Sequence, residues 1–199
     1  MKATMRLENT LRRQGYILIC GIDEVGRGSL AGPLVAASVI LPSGWRKPLK
    51  DSKQLSSRVR QELSKYIIDN SLAFGIGWVS NTEIDDIGLS KAVQLAYLRA
   101  LEEMKFEFST IVIDGNVDYL EEYGVSHALV SADKKVSCVA AASIIAKVAR
   151  DDFMKSQAEI YTSYGFETNV GYGTTKHTEA IKNIGLTKLH RKSFCGRLV

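Results

Sequence analysis

The chain has 199 residues, of which 45% are hydrophobic and 24% charged. This is ordinary for a soluble globular protein and fits one domain, or one domain with a small appendage. A formal charge of +4 permits a nucleic-acid partner without requiring one, and no run approaches the roughly 20 apolar residues that a membrane-spanning helix needs.

In chain order, the opening segment Met1-Lys-Ala-Thr-Met-Arg-Leu-Glu carries no apolar run of signal-peptide length. Residues 17–23 and 32–41 read as strands, and the second lacks clean alternation, so it is expected to be buried on both faces. Residues 57–70 read as a helix with Leu63, Tyr66 and Ile67 on one face. A strand follows over 72–79, weakened by Gly75 and Gly77, and Thr82 with Asp85 is placed to cap a helical turn. Residues 89–104 form a strong helical pattern with Ala92, Leu95, Ala96 and Leu98 as its apolar surface. Residues 110–114 are a short buried strand ending in an acid, and 128–130 another strand. An Ala-rich helical region is expected over 137–164, and a last helix over about 175–184 stops at Gly185.

Early strands joined by short turns and later ones joined by helices give an α/β fold: a mixed sheet with helices packed on it and a helical C-terminal region. Residues 1–199 are read as one domain, with a basic helical region from about 155. From Gly171 onward the only acid is Glu179, against Lys176, Lys182, Lys188, Arg191, Lys192 and Arg197. Such a basic end suits a polyanion, and equally a solvated helix face with a tail. Cys20, Cys138 and Cys195 are scattered and odd in number, which argues against a disulfide framework or a zinc site and fits a reducing, cytoplasmic compartment.

The densest chemistry lies in Gly21-Ile-Asp-Glu-Val-Gly-Arg-Gly28, directly after an apolar run. Asp23 and Glu24 stand at a strand end, with the cation Arg27 in the following turn. Taken alone, this is as well explained by a solvated bend. Two further strand-like segments also end in acids, at Asp114 and Asp133. Carboxylates from several elements can converge on one rim of a sheet and hold Mg²⁺ or Mn²⁺. Two such ions can activate a water and stabilise the leaving oxygen in phosphodiester hydrolysis. Because neighbouring strand residues point to opposite faces, Asp23 and Glu24 are expected to share a site only if the strand ends or distorts between them. No Walker A loop, His-Glu-x-x-His or Gly-x-Ser-x-Gly occurs, and His127, His177 and His190 lack metal-ligand spacing and read as surface or hydrogen-bonding residues.

Asp-Glu-Val-Gly-Arg-Gly-Ser-Leu-Ala-Gly-Pro (23–33) resembles the signature of the type 2 ribonucleases H, specifically bacterial ribonuclease HII. Asp51-Ser-Lys-Gln-Leu55, Ile113-Asp-Gly-Asn116, the run from Ala132 to Asp151, Gly171-Tyr-Gly-Thr174 and His190-Arg-Lys-Ser-Phe194 extend the resemblance in order, over about residues 17–194. The resemblance implies a ribonuclease H-like fold and endonucleolytic cutting 5′ of a ribonucleotide, in RNA/DNA hybrids and in duplex DNA with embedded ribonucleotides. The products would be a 3′-hydroxyl and a 5′-phosphate. It implies Asp23, Glu24, Asp114 and Asp133 as the acids holding two Mn²⁺ or Mg²⁺ ions. Gly26, Arg27 and Gly28 would read the ribose 2′-hydroxyl, Tyr172 would stack on the sugar at the junction, and Lys53 would lie by the scissile phosphate. The protein is expected to act as a monomer, away from membranes. The alternative for Lys53 is a solvated loop lysine, and for Tyr172 a packing residue.

The sequence departs from the commonest pattern at Ser29, Ala132 and Gly173. None of these removes a ligand, and Ser29 and Gly173 are expected to loosen loops that hold substrate. Two other readings stand beside this one. A ribonuclease HIII-like hybrid nuclease would carry an N-terminal substrate-binding domain, which residues 1–16 are too short to form. A non-catalytic hybrid-duplex binder would not keep four acids that repel phosphate.

Overall fold

The structure, a computed structural model, describes residues 2–50, 52 and 55–198. β1 (Lys2–Ala3) and α1 (Arg6–Arg13) precede β2 (Ile19–Val25), β3 (Leu34–Ile40), β4 (Leu49–Lys50), α2 (Ser57–Asn70) and β5 (Ala73–Val79). Then come α3 (Asn81–Ile87), α4 (Leu89–Met104), β6 (Thr110–Asp114), β7 (Ser126–Leu129) and α5 (Ser137–Ala158). The short helices α6 (Phe166–Asn169) and α8 (Lys192–Cys195) flank α7 (Thr175–Ile184).

Five strands form one mixed sheet in the order β5-β3-β2-β6-β7. The short β2–β3 connection makes an antiparallel hairpin, and β5 adds to β3 antiparallel. The helical crossover from β5 to β6 brings β6 alongside β2 in parallel, with β7 parallel outside it. β1 and β4 pair separately. Every residue of β3 is buried, as its unalternating sequence predicts. One face of the sheet packs on α5 and α2 through Ile19, Ala37 and Val39, and the other on α4 through Cys20, Ile22, Ala36 and Ile40.

Glycines decide how closely the helices lie. A Cβ on Gly77 would stand 2.0 Å from the Ala96 carbonyl oxygen of α4, and one on Gly21 would stand 2.3 Å from the Cys138 carbonyl carbon of α5. Residues that weaken β5 by propensity are thus the ones that admit a helix backbone. The cysteines are free and buried. Among the described residues no helix is long and apolar enough to cross a membrane.

Two local expectations change, and one helix appears where none was expected. The helix after β5 is capped by Ser80 with Glu83 in a reciprocal capping box, not by Thr82 with Asp85. Asp85 instead accepts the backbone N–H groups of Lys192 and Ser193 at the start of α8. α5 ends at Ala158 rather than near 164, where Ile160 and Tyr161 both turn back to the Gln157 carbonyl. α1 lies in a segment whose sequence shows little beyond Leu7 and Leu11, and its buried Glu8 accepts the Cys138 N–H at the start of α5.

The C-terminal region is knitted to the body by two arginines that are both fully buried, Arg150 and Arg191. Arg191 therefore departs from the expected basic surface. Its guanidinium donates to the Gly32 and Arg27 carbonyls, and that of Arg150 donates to the Pro33, Val170 and Ala31 carbonyls and to Ser29 Oγ. Burial, and next the neighbouring Arg150 charge, push the Arg191 pKa down to about 10.

Candidate active site

β2 and β6 are paired from Ile19–Thr110 to Ile22–Ile113 and then part. β2 runs on against β3 through Val25, and β6 runs on against β7 through Asp114. The parting of two parallel strands at their carboxyl ends opens a crevice, the usual ligand position in such sheets. Asp23, Glu24 and Asp114 line it. Contrary to expectation, β2 neither ends nor distorts between Asp23 and Glu24. Asp23 lies on the α5 face, where Ser143 hydrogen-bonds its carboxylate, and Glu24 lies on the α4 face, where the Tyr97 hydroxyl donates to it. The two acids share the crevice because it straddles the edge of the sheet at that point.

Each carboxylate is held. Asp23 Oδ1 accepts the Glu24 N–H at 2.8 Å. Glu24 Oε1 pairs with Arg27 Nη1 at 3.1 Å, and Arg27 Nη2 reaches the Tyr119 hydroxyl at 3.3 Å. Asp114 Oδ1 accepts the Ala132 N–H at 2.6 Å and the Asp133 N–H at 3.4 Å. Asp133 is buried in the turn whose backbone N–H groups hold Asp114. Burial, then the charges of Glu24 and Asp114, hold the Asp23 carboxyl well above the usual carboxylate range. Burial, then Glu24, likewise raises the Tyr97 hydroxyl.

The cleft measures about 470 Å³, and Gly26, Arg27, Gly28 and Tyr172 form part of its wall. The Tyr172 ring is backed by Arg150 and Lys147, at 5.3 and 5.8 Å from its centroid. Lys53, with Asp51 and Gln54, lies outside the described residues. Three lining residues escape the sequence reading: Ser52, Ser143 and Lys147. Ser52 Oγ is 3.1 Å from Ser143 Oγ, which extends the support of Asp23 by one more hydroxyl. Lys147 lies 2.7 Å from Asp151, which also pairs with Arg60 at 3.1 Å. Burial lowers the Lys147 pKa, against the pull of Asp151. A signal for this set exists in the sequence: Ser143, Lys147, Arg150 and Asp151 make a polar stripe at helical spacing on an Ala-rich helix.

Ser29 does not loosen the loop after Arg27. It is fully buried, donates to the Gly26 carbonyl at 2.9 Å and accepts from Arg150 at 2.7 Å. These two bonds hold the turn to α5.

Among the described residues no three His, Cys, Asp or Glu side chains already form a tight metal cage. The donor set nonetheless suits a hard divalent ion. The acids offer only oxygen, and the repulsion that raises Asp23 is the kind a cation relieves.

Comparison with known proteins agrees with the resemblance. The chain is 46% identical to the ribonuclease HII of Pelagibacter ubique over 179 residues, 89% of this chain and 95% of that one. Its fold matches the ribonuclease H2 of Pyrococcus horikoshii OT3 with a TM-score of 0.77 and 26% identity, covering 91% of this chain and 96% of that one. Bst-RNase HIII in complex with Mn²⁺ shares the fold alone, at a TM-score of 0.64 and 22% identity over 85% of this chain and 63% of that one. The ribonuclease HII profile matches residues 20–197, nearly the whole length, and the chain belongs to the ribonuclease HII family.

Proposed function

We propose that this nuclease hydrolyses the phosphodiester bond 5′ of a ribonucleotide, in RNA/DNA hybrids and in duplex DNA with embedded ribonucleotides, leaving a 3′-hydroxyl and a 5′-phosphate. Family membership supports the coarser reading, an endoribonuclease for RNA paired with DNA. One observation carries the finer one: Gly26, Arg27, Gly28 and Tyr172 line the same cleft as Asp23, Glu24 and Asp114. A protein tells RNA from DNA through the 2′-hydroxyl, and a turn of glycines lets backbone groups approach it. Groups that sense the ribose thus sit beside the cutting centre.

Asp23, Glu24 and Asp114, with Asp133 behind them, would hold Mg²⁺ or Mn²⁺, two ions per site. When bound, the ions supply the charge that activates water and steadies the departing oxygen. Ser143 orients Asp23, and Arg27 and Tyr97 orient Glu24. Arg27, half-exposed in the cleft wall and anchored by Glu24 and Tyr119, keeps further N–H donors for a substrate. Tyr172 offers a ring face on which a sugar can rest.

The test is cleavage of a DNA duplex holding one ribonucleotide, beside a continuous hybrid, with Mg²⁺ or Mn²⁺ and with excess EDTA. Cutting should occur 5′ of the ribonucleotide only with the ion. A stacking contact is worth roughly 1–3 kcal/mol, so Tyr172→Ala should slow single-ribonucleotide cutting by about one to two orders of magnitude. Full activity in EDTA would end the metal reading, and an undiminished Tyr172→Ala would end the junction role.

A further inference from the structure

Next to the cleft, His177 on α7 and His190 before α8 are buried, 0% and 2% exposed, with their Nε2 atoms 3.0 Å apart. Their neighbours dictate their tautomers. The Thr187 backbone N–H points at His190 Nδ1 from 2.8 Å. An amide N–H can only donate, and the Thr187 Oγ1 hydroxyl, 2.9 Å from the same atom, can turn its own proton to it as well, so Nδ1 is bare and a neutral His190 carries its proton on Nε2. At the other end, His177 Nδ1 lies 2.9 Å from the Tyr172 carbonyl oxygen. A carbonyl can only accept, so this Nδ1 carries the proton and His177 Nε2 is bare. One arrangement satisfies all four nitrogens: Thr187 N–H to His190, His190 Nε2–H to His177, and His177 Nδ1–H to the Tyr172 carbonyl. A further proton on either ring would set one N–H against another. The pair is neutral at pH 7, since burial lowers His177, and burial followed by the charge of His177 pushes His190 down to about 4.

The end of this wire is the residue whose placement matters. Tyr172 sits between Gly171, at φ +86°, and Gly173, so its backbone is free to swing unless bonded. Its N–H is held by the Asn169 carbonyl, and its carbonyl by the Thr174 N–H and by His177.

We propose that the His190–His177 wire is a positioning device for Tyr172. It fixes the Tyr172 backbone, and through it the ring over the cleft, and so sets discrimination for the ribonucleotide junction. This rests on the junction role given to Tyr172 above. The competing role is packing alone, because both rings also lie against Tyr164 and Phe166, with His190 5.1 Å from Tyr164 and His177 5.3 Å from Phe166.

Two substitutions separate the roles. The amide nitrogen of asparagine reaches where Nδ1 lies and can donate as it does, and the amide oxygen of glutamine reaches where Nε2 lies and can accept the His190 Nε2–H as it does. His177→Asn should keep the bond to Tyr172, and with it the ratio of single-ribonucleotide to continuous-hybrid cutting. His177→Gln keeps the link to His190 but drops Tyr172, and should lower that ratio about fivefold, the worth of one hydrogen bond. In a Tyr172→Ala background His177→Gln should change the ratio no further. Equal losses in both variants, or a further loss in that background, would mean packing and overturn the proposal. If Tyr172→Ala itself leaves the ratio unchanged, the junction role falls and takes the wire with it. If Tyr172→Ala lowers the ratio and His177→Gln does not, the wire alone falls. Two-bond ¹H–¹⁵N spectra of the unsubstituted protein at pH 7 test the wire whether or not the variants fold. They should give Nδ1–H for His177 and Nε2–H for His190, and the opposite tautomers or a charged ring would overturn it.

Discussion

Asp23 is 7% exposed and faces two other carboxylates, so its charge opposes folding while it serves the cleft. Replacing it with Asn keeps the shape and removes the repulsion. Asp23→Asn should therefore stabilise the protein in EDTA by on the order of 1 kcal/mol, read as a higher melting temperature, while cutting falls at least ~10²-fold. A lower melting temperature would mean that the bonds from the Glu24 N–H and Ser143 outweigh the repulsion. At this scale the acids were legible because each of Asp23, Glu24 and Asp114 follows an apolar run that reads as a buried strand. Their partners were not. Ser143 and Tyr97 meet Asp23 and Glu24 from helices on opposite faces of the sheet; Ser143 shows in the sequence only as one member of the polar stripe on α5, and nothing local marks Tyr97. Asp133 reads in sequence as an equal of the others; the structure buries it and turns its backbone N–H to Asp114 Oδ1.

Elements join the fold to the site through close packing, and α4 is the clearest case. It lies on β5 at Gly75 and Gly77 and carries Tyr97 to Glu24. Gly77→Ala would force a methyl to within 2.0 Å of the Ala96 carbonyl, so α4 must shift. Overpacking of this kind costs about 1–3 kcal/mol, which should appear as a lower urea midpoint at unchanged slope. An unchanged midpoint would show that α4 gives way freely. The spans of α2 and α4 follow directly from their periodic apolar faces and match the structure at 57–70 and 89–104. α1 was not legible, because Leu7 and Leu11 are its only apolar contacts with the core and its Glu8 carboxylate serves the start of α5 from far along the chain. The Thr82–Asp85 cap was misplaced for a related reason. Ser80 offers the better box with Glu83, and Asp85 is committed to α8.

Across the whole molecule, positive charge has two distinct uses that composition cannot separate. Arg150 and Arg191 are interior cross-links tying the turn after Arg27, the segment before Tyr172 and the C-terminal region together through carbonyl oxygens. Lys188, Lys192 and Arg197, in the same basic run, are exposed. Only the exposed set can meet phosphates, and each lost phosphate contact lowers the slope of log affinity against log salt by about 1. Lys188→Gln with Lys192→Gln should therefore flatten the salt dependence and weaken binding to all duplexes alike, with the melting temperature unchanged. Arg191→Ala should do the reverse. It strips two donors from the buried Gly32 carbonyl and one from the part-buried Arg27 carbonyl, so stability should drop by about 3 kcal/mol or more, while the salt slope of the folded fraction stays as it was. The measurement is duplex affinity by fluorescence anisotropy from low to high salt, alongside thermal melting of each variant. A lysine pair that leaves the slope untouched would remove the C-terminal run from the nucleic-acid surface. An Arg191→Ala protein that melts normally and loses slope would put that guanidinium on the substrate instead of in the interior.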